Sequence, residues 1–220
     1  MRVLGLDPSL TAFGWAVHDS SVDAGARRCE DHGLLKTRAR TLYVDRYIDQ
    51  RESLRAIIQH HKPDAVAQES PVFGELYSEG MYGLFLYVSE ALRLERLDTV
   101  FWTPGQIKAF AKELLGRPET WGDMTKADMV EAARWDTRVS EHNLGKLRNH
   151  NEAEAYLAAV LGSRFWLLHR GQITEADLTD RERKQFLEVQ TPKKGKHAGR
   201  TLHKGTLYRA DDRFFLWSEE

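Results

Sequence analysis

The sequence predicts an α/β fold: a five-stranded mixed sheet, with three antiparallel strands followed by two parallel strands, flanked by helices. Two observations support this prediction. Three short apolar runs near the N-terminus are separated by turns too short for a crossover, so they should pair as antiparallel neighbours. Beyond them, segments with helical periodicity alternate with short apolar runs, which is the pattern of helices packed on the faces of a sheet.

The elements follow from apolar spacing and from the residues that interrupt it. The first strand ends at Asp7, the fourth ends at Glu69, and Pro104 stops the fifth because proline cannot donate to a strand ladder. The helices place apolar residues at three- and four-residue intervals. Strands are predicted at 3–7, 15–18, 33–36, 64–69 and 98–104, and helices at 42–60, 75–97, 105–115, 126–133 and 150–166.

Composition limits the class of protein. The 220 residues include 32 Lys and Arg, 33 Asp and Glu and one cysteine, with a formal net charge of −1. This length suits one sizeable domain, predicted at 1–167, followed by a basic C-terminal extension at 168–220. No apolar run approaches the ~18 residues of a membrane span, and a lone cysteine forms no internal disulfide. We therefore expect a cytoplasmic protein with no membrane association.

Positive charge is concentrated in the extension. Between Thr191 and Arg209 the chain has no acidic residue, and three glycines interrupt any periodicity. Such a segment is either a solvated tail or an arm that contacts phosphates, and we predict the arm. The terminal segment RFFLWSEE can return to the body as a short strand. The side chains predicted to bind DNA here are Lys193, Lys194, Lys196, Arg200 and Lys204.

The helix predicted at 75–97 is apolar on two sides. One side is expected to cover the sheet, and the other either meets a second copy of the chain across a two-fold axis or lies beneath the C-terminal tail. We favour the homodimer. The first side carries Met81, Leu84, Phe85, Val88 and Leu92, and the residues off it are Tyr82, Leu86, Tyr87 and Leu94.

Four residues are candidates for a metal site. Asp7 and Glu69 end two strands that should be central, so both side chains should face one crevice. Asn151 and Glu154 are three residues apart at the start of the last helix and share one of its faces. Such oxygen ligands suit Mg²⁺ or Mn²⁺ rather than zinc, and two ions in one site can promote phosphodiester hydrolysis.

Three segments resemble one known family. VLGLDPSLTAFGWAV is similar to the first hairpin of RuvC-type Holliday junction resolvases, which have the RNase H-like (retroviral integrase) fold. VAQESPVFGELY resembles the strand and following segment that carry the family's catalytic Glu and an aromatic that faces the junction. HNEAEAYLAAVLG resembles its last helix. The resemblance spans roughly residues 1–167, and its most specific part is the first segment.

The resemblance implies that Asp7, Glu69 and Glu154 bind two metal ions, with Asn151 in an auxiliary position. This sequence departs from the family at two of these residues. Glu154 stands where Asp is usual, and Asn151 stands where Asp or His is usual. Glu reaches one methylene further than Asp, and a neutral Asn binds a metal ion more weakly than Asp or His. His150 is therefore an alternative auxiliary ligand. Together the two departures leave open a protein that does not catalyse cleavage.

The resemblance also implies two lysines and an aromatic at the DNA. Lys108, in TPGQIKAFA, and Lys126, in TKADMVEAA, match lysines that face the active site or the phosphates, and Lys126 is a candidate catalytic residue. A lysine beside a scissile phosphate stabilises developing negative charge. Phe73, just after Glu69, is a candidate for stacking at a branch point, and Tyr77 a weaker one. The alternatives are a solvated charge for each lysine and a core position for each ring.

The function expected from these residues is a divalent-metal-dependent endonuclease that resolves four-way (Holliday) junctions as a symmetric dimer in a bacterial or phage-infected cell. Its products would carry a 5′-phosphate and a 3′-hydroxyl. Three alternatives remain open: a non-catalytic junction-binding protein, a flap or debranching nuclease, and an ATP-binding protein of the actin and sugar-kinase superfamily. The last needs a second comparable lobe, for which 220 residues leave little room.

Overall fold

The computed structural model describes residues 1–21, 28–38, 41–70, 79–118, 121–137, 147, 149–187, 189–190, 202–203, 207–210 and 213–216. The strands are β1 Arg2–Asp7, β2 Ala12–Asp19, β3 Arg28–Lys36, β4 Ala65–Glu69, β5 Thr99–Trp102, β6 Val189–Gln190, β7 Leu202–His203, β8 Leu207–Ala210 and β9 Arg213–Leu216. The helices are α1 Tyr43–His61, α2 Glu79–Leu94, α3 Pro104–Leu114, α4 Lys126–Thr137, α5 His150–His169 and α6 Asp180–Phe186, with a short 3₁₀ helix at Glu175–Asp177.

The predicted fold class is confirmed. Strands β1, β2 and β3 form an antiparallel meander, and β1, β4 and β5 are parallel neighbours. The predicted count of five strands was too low, because the described residues form a seven-stranded sheet in the order β3-β2-β1-β4-β5-β8-β9. Strand β8 pairs antiparallel with β5, and β9 pairs with β8. The expected short strand near the C-terminus is therefore present, in a hairpin that extends the main sheet.

Strand alternation divides the core between the two faces of the sheet. Leu4 and Leu6 of β1 pack with the buried residues of α1 and α2, whereas Val3 packs on the opposite face with those of α5. Strand β4 alternates in the same way, with Val66 toward α1 and α2 and Ala67 toward α5. By this alternation Asp7 and Glu69, which end these two strands, lie on the α5 face.

Helix α5 is the central helix of its layer. Thirteen of its residues are buried, and they lie all around the helix. A helix buried on every side needs partners in every direction, and α5 packs against the sheet as well as against α3 and α4. The sequence predicted this helix without predicting how closely it would approach the sheet.

Helix α2 keeps apolar side chains in solvent. Leu84, Val88 and Leu92 are buried against the sheet, as predicted. Of the residues predicted on the second apolar side, Tyr82, Leu86 and Leu94 are 44%, 65% and 51% exposed. Tyr87 instead packs against Tyr47 of α1, so that side is covered in part by α1 within the described residues. No helix in the described ranges combines the length and the apolar character needed to cross a bilayer.

Candidate active site

Asp7 and Glu69 end neighbouring parallel strands at the same edge of the sheet. The register pairs Leu6 with Gln68, so the residues that follow, Asp7 and Glu69, lie side by side. Asp7 is only 8% exposed, and Glu69 is partly buried. The crevice predicted at the carboxyl ends of the central strands is therefore formed by adjacent strands.

Glu154 reaches this edge because the start of α5 is fixed in two ways. The side chain of Asn149 accepts a hydrogen bond from the backbone N–H of Asn151 at 2.8 Å, and the carboxylate of Glu152 returns to the backbone N–H of Asn149 at 3.4 Å. This capping box sets the residue at which the helix begins. The first turn then lies directly on Gly14, where a β-carbon would be 2.2 Å from the Asn151 carbonyl oxygen. Because Gly14 pairs with Asp7, this contact brings the first turns of α5 to the Asp7 carboxylate.

The three carboxylates form one cluster. Each of Asp7, Glu69 and Glu154 offers an oxygen, and these oxygens lie within 4.8 Å of one another. In the part of the chain that the structure describes, no other group of three His, Cys, Asp or Glu side chains converges in this way. The predicted convergence of residues distant in sequence is thus observed, and the site holds oxygen ligands of the kind that hard divalent cations prefer.

Crowding and burial change the acidity of all three groups. Burial raises the pKa of Asp7 well above its usual value, and the charges of Glu69 and Glu154 raise it further, while Lys126 lowers it. Burial and then the charge of Glu154 raise the pKa of Glu69 to about 7, against a lowering effect of Lys108. Burial also raises the pKa of Glu154, although both lysines lower it. Desolvated, mutually repelling carboxylates of this kind fit a cation, whose positive charge would offset the repulsion and favour the ionised form of each group.

Both predicted lysines lie close enough to act on the cluster. Lys126 is the first residue of α4 and lowers the pKa of Asp7, whereas Lys108 projects from α3 and lowers that of Glu69. Helix α3 begins at a capping box formed by Thr103 and Gln106, which fixes the turn that carries Lys108. The two cations approach the carboxylates from two different helices, so the site combines acidic oxygens with flanking positive charge.

Asn151 is tied to the sheet. Its side-chain amide nitrogen donates to the carbonyl oxygen of Ala12 on β2, and the residue is 8% exposed. His150, the alternative auxiliary residue, lies outside the three-carboxylate cluster within the described residues, and burial and Lys126 lower its pKa. An auxiliary metal-ligand role for either residue stays a prediction.

Several predicted DNA contacts fall outside the described residues. These are Phe73 and Tyr77 in the segment after β4, and Lys193, Lys194, Lys196, Arg200 and Lys204 in the C-terminal segment.

A buried polar network beside the site was not predicted. The carbonyl oxygen of Leu10, three residues after Asp7, accepts hydrogen bonds from the side chains of Thr37 and Arg46. Gln50, one turn further along α1, donates its amide nitrogen to the carbonyl of Ser9 at 2.9 Å. Arg46 and Gln50 are 4% and 1% exposed. The buried apolar residues Leu54 and Ile58 continue the same four-residue spacing along α1, and this was the only available signal, because polar side chains more often face solvent.

Comparison with known proteins gives relatives named as crossover junction endodeoxyribonucleases. The chain is 26% identical over 109 residues to the crossover junction endodeoxyribonuclease RuvC of Synechocystis sp., a match covering 46% of this chain and 65% of the relative. It is 39% identical over 75 residues to RuvC of Chloroflexus aggregans, covering 34% of this chain and 44% of that relative. No family model matches the chain.

The solved structures extend the likeness over most of the described fold. Thermus thermophilus RuvC in complex with a Holliday junction substrate superposes with a TM-score of 0.62 at 20% identity, covering 77% of this chain and 96% of that one. The chain resembles RuvC in sequence and shares its fold. The predicted resemblance is thereby confirmed. A second T. thermophilus RuvC structure gives a TM-score of 0.60 at 19% identity. The chain spans about two thirds or less of the length of these RuvC sequence relatives.

The described residues also bear on the ATP-binding alternative. Actin-like proteins need a second comparable lobe, but the described ranges form one large sheet with its helices and one two-stranded ribbon.

Proposed function

We propose that this protein is a structure-selective endonuclease that resolves four-way DNA junctions by divalent-metal-dependent phosphodiester hydrolysis. The observation that carries the proposal is the approach of the Asp7, Glu69 and Glu154 oxygens to within 4.8 Å of one another. The RuvC relatives are named as crossover junction endodeoxyribonucleases, and one was solved with a Holliday junction, which supports the same substrate here.

Asp7, Glu69 and Glu154 are the proposed metal ligands, with Asn151 as the auxiliary residue. Mg²⁺ or Mn²⁺, with two ions per site, would supply Lewis acidity at the scissile phosphate. The residues themselves provide the negative oxygens, hold them at fixed positions at the strand ends and on α5, and exclude part of the surrounding water by burying Asp7. Shielding from water strengthens each charge interaction within the site.

Lys108 and Lys126 are proposed to bind the phosphate. The ammonium groups of both lysines already lie near the carboxylates. A phosphate that enters the site adds negative charge, with which these ammonium groups can pair. Lys126 also stands at the first turn of α4, where backbone N–H groups favour an anion. Contacts from Phe73 and from the basic segment at 193–204 remain part of the proposal.

A symmetric homodimer is proposed to place two such sites on one junction. The exposed side of α2, with Tyr82 and Leu86, supports this because large apolar side chains in contiguous positions mark association surfaces. A two-fold axis matches the two strands that must be cut in a four-way junction.

Cleavage of a synthetic four-way junction tests the proposal, with duplex and flap DNA as comparison substrates. We expect paired nicks in Mg²⁺ or Mn²⁺, no cutting in a chelator, and a loss of at least about 100-fold in rate for Asp7→Asn. An Asp7→Asn variant that cuts at the parental rate contradicts the proposal. Preferential cutting of flaps identifies a debranching nuclease instead.

A second candidate function is favoured by the Asn151 side chain. The Asn151 side chain is neutral, so the site has one fewer charged ligand than an acidic residue at this position would give. Its amide nitrogen is also held by the Ala12 carbonyl. The protein would then bind junctions without cutting them. Tight binding of the junction with no products in either Mg²⁺ or Mn²⁺ selects this function.

A further inference from the structure

An exposed tryptophan lies in the loop between α3 and α4. Trp121 is 50% exposed, although an indole is among the side chains that gain most from burial. A single exposed aromatic is ordinary. The contacts that fix this one in place are the informative feature.

Both the ring and the backbone of Trp121 are held. The guanidinium of Arg117 lies over the ring, 5.1 Å from its centroid. The ammonium of Lys112 donates to the Trp121 carbonyl at 2.7 Å, and the backbone N–H of Trp121 donates to the Pro118 carbonyl at 3.0 Å. The indole is therefore pre-organised, so a ligand that stacks on it costs little conformational entropy of the side chain.

The same contacts connect the indole to the candidate active site. Arg117 pairs with Asp128 on α4 at 2.6 Å, and Asp128 accepts a hydrogen bond from the Thr125 backbone N–H at 2.8 Å. Helix α4 begins one residue after Thr125, at Lys126. Lys126 is five positions after Trp121, so the Cα atoms of the two residues lie at most about 18 Å apart. The indole thus lies within a few nucleotides of any phosphate that Lys126 binds.

We propose that Trp121 is a stacking platform for a nucleobase of the DNA substrate, near the phosphate that is cut. This inference rests on the proposed nuclease function. One face of the indole is backed by Arg117, and half of the residue is open to solvent, as a base approaching the ring requires. Every base has a π face, and a branch point exposes bases that have lost a stacking neighbour.

Binding and cleavage of a four-way junction by two variants test the role of the ring. Trp121→Ala is expected to weaken binding, measured in a chelator so that no cutting occurs, by about 5- to 150-fold. Trp121→Phe keeps a ring and is expected to stay within about fivefold of the parent. Trp135→Ala is the control for loss of an exposed indole, because Trp135 is 51% exposed and lies near the C-terminal end of α4, whereas Lys126 begins that helix. It should bind like the parent.

A spectroscopic readout locates the contact. 2-Aminopurine, a fluorescent base whose emission falls on stacking, is placed in turn at the nucleotides flanking the cut. One position should be quenched by the parent protein and Trp135→Ala, and not by Trp121→Ala. Unfolding midpoints of the variants equal to that of the parent exclude a folding defect as the cause.

The outcomes separate this inference from the proposed function. A parent protein that cuts junctions, together with a Trp121→Ala variant that binds and quenches equally well, overturns the stacking role and leaves the nuclease intact. A parent that binds no branched DNA overturns the proposed function itself. If Trp121→Ala alters only the sedimentation of the protein, the indole is a contact between protein chains and the stacking proposal is wrong.

Discussion

A β-carbon at Gly5 would lie 1.8 Å from the carbonyl oxygen of Ala155, so strand β1 and helix α5 are in direct backbone contact. Ala155 follows Glu154, and Gly5 lies two residues before Asp7. The contact therefore sets the separation of two of the three clustered carboxylates. A larger residue at position 5 has to push the helix away from the sheet, and the displaced helix carries Glu154 with it.

Gly5→Ala is expected to destabilise the protein by about 3 kcal/mol or more, because the new methyl group meets backbone rather than a movable side chain. Urea unfolding measures the change. The control is Gly122→Ala, where a β-carbon has no atom within 4 Å. Equal unfolding midpoints for the two variants would show that β1 and α5 are not in backbone contact.

Much of the site could be predicted, and for a local reason. Asp7 and Glu69 end apolar runs that are short enough to be strands, and Asn149 with Glu152 marks the start of α5 in a few residues. The close approach of α5 could not be predicted, because it depends on which glycines face which helix across the sheet. The pairing of β8 with β5 could not be predicted either, because it depends on which edge of the sheet is free to accept a strand, and the local sequence does not indicate this.

The metal-free protein is expected to lose stability as the pH rises from about 4.5 to about 7. The pKa of Glu69 is 4.5 in an ordinary environment and about 7 in the fold, so between these values the folded state holds more protons than the unfolded state. The stabilisation is complete below about 4.5 and is lost as the pH passes through about 7. Thermal unfolding in a chelator across this range measures it.

Glu69→Gln cannot ionise at this position, so its unfolding midpoint should fall less steeply over the same pH range. Added Mg²⁺ or Mn²⁺ should reduce the loss in the parent, because the cation binds the deprotonated carboxylates of the folded state. Parallel pH profiles for the parent and Glu69→Gln in the chelator would contradict the assignment of this titration to Glu69.

Glu154→Asp is expected to slow junction cleavage by at least about tenfold, even though Asp is the usual family residue here. Removing one methylene withdraws the carboxylate by roughly 1.5 Å from a cluster whose backbone positions are fixed by Gly5 and Gly14. Cleavage rates and Mn²⁺ titration calorimetry should both report the loss. A Glu154→Asp variant as active as the parent would mean that the cluster tolerates either side-chain length at this position, and that the fixed position of α5 does not require Glu there.

Gln50→Leu is expected to lower kcat about tenfold with little change in KM. Gln50 holds the Ser9 carbonyl in the turn that follows Asp7, and loosening this turn misplaces the carboxylate without removing a DNA contact. Steady-state cleavage of the junction separates the two constants. The control is Arg51→Gln on the same helix, which loses ion pairs with Glu52 and Glu90 and a contact with the Tyr87 ring, none of them beside Asp7, and should match the parent.

Leu86→Glu is expected to convert the proposed dimer to a monomer, because it places a charge on the exposed apolar side of α2 that would be buried on association. Sedimentation velocity measures the change. The control is Leu42→Glu, at the residue just before α1, where the leucine is 74% exposed and is not part of α2, so the dimer should persist. The monomer should nick one strand of a junction at a time, since each chain carries its own Asp7, Glu69 and Glu154. If Leu86→Glu sediments as the parent does and still produces paired cuts, the exposed side of α2 is not where the two copies meet.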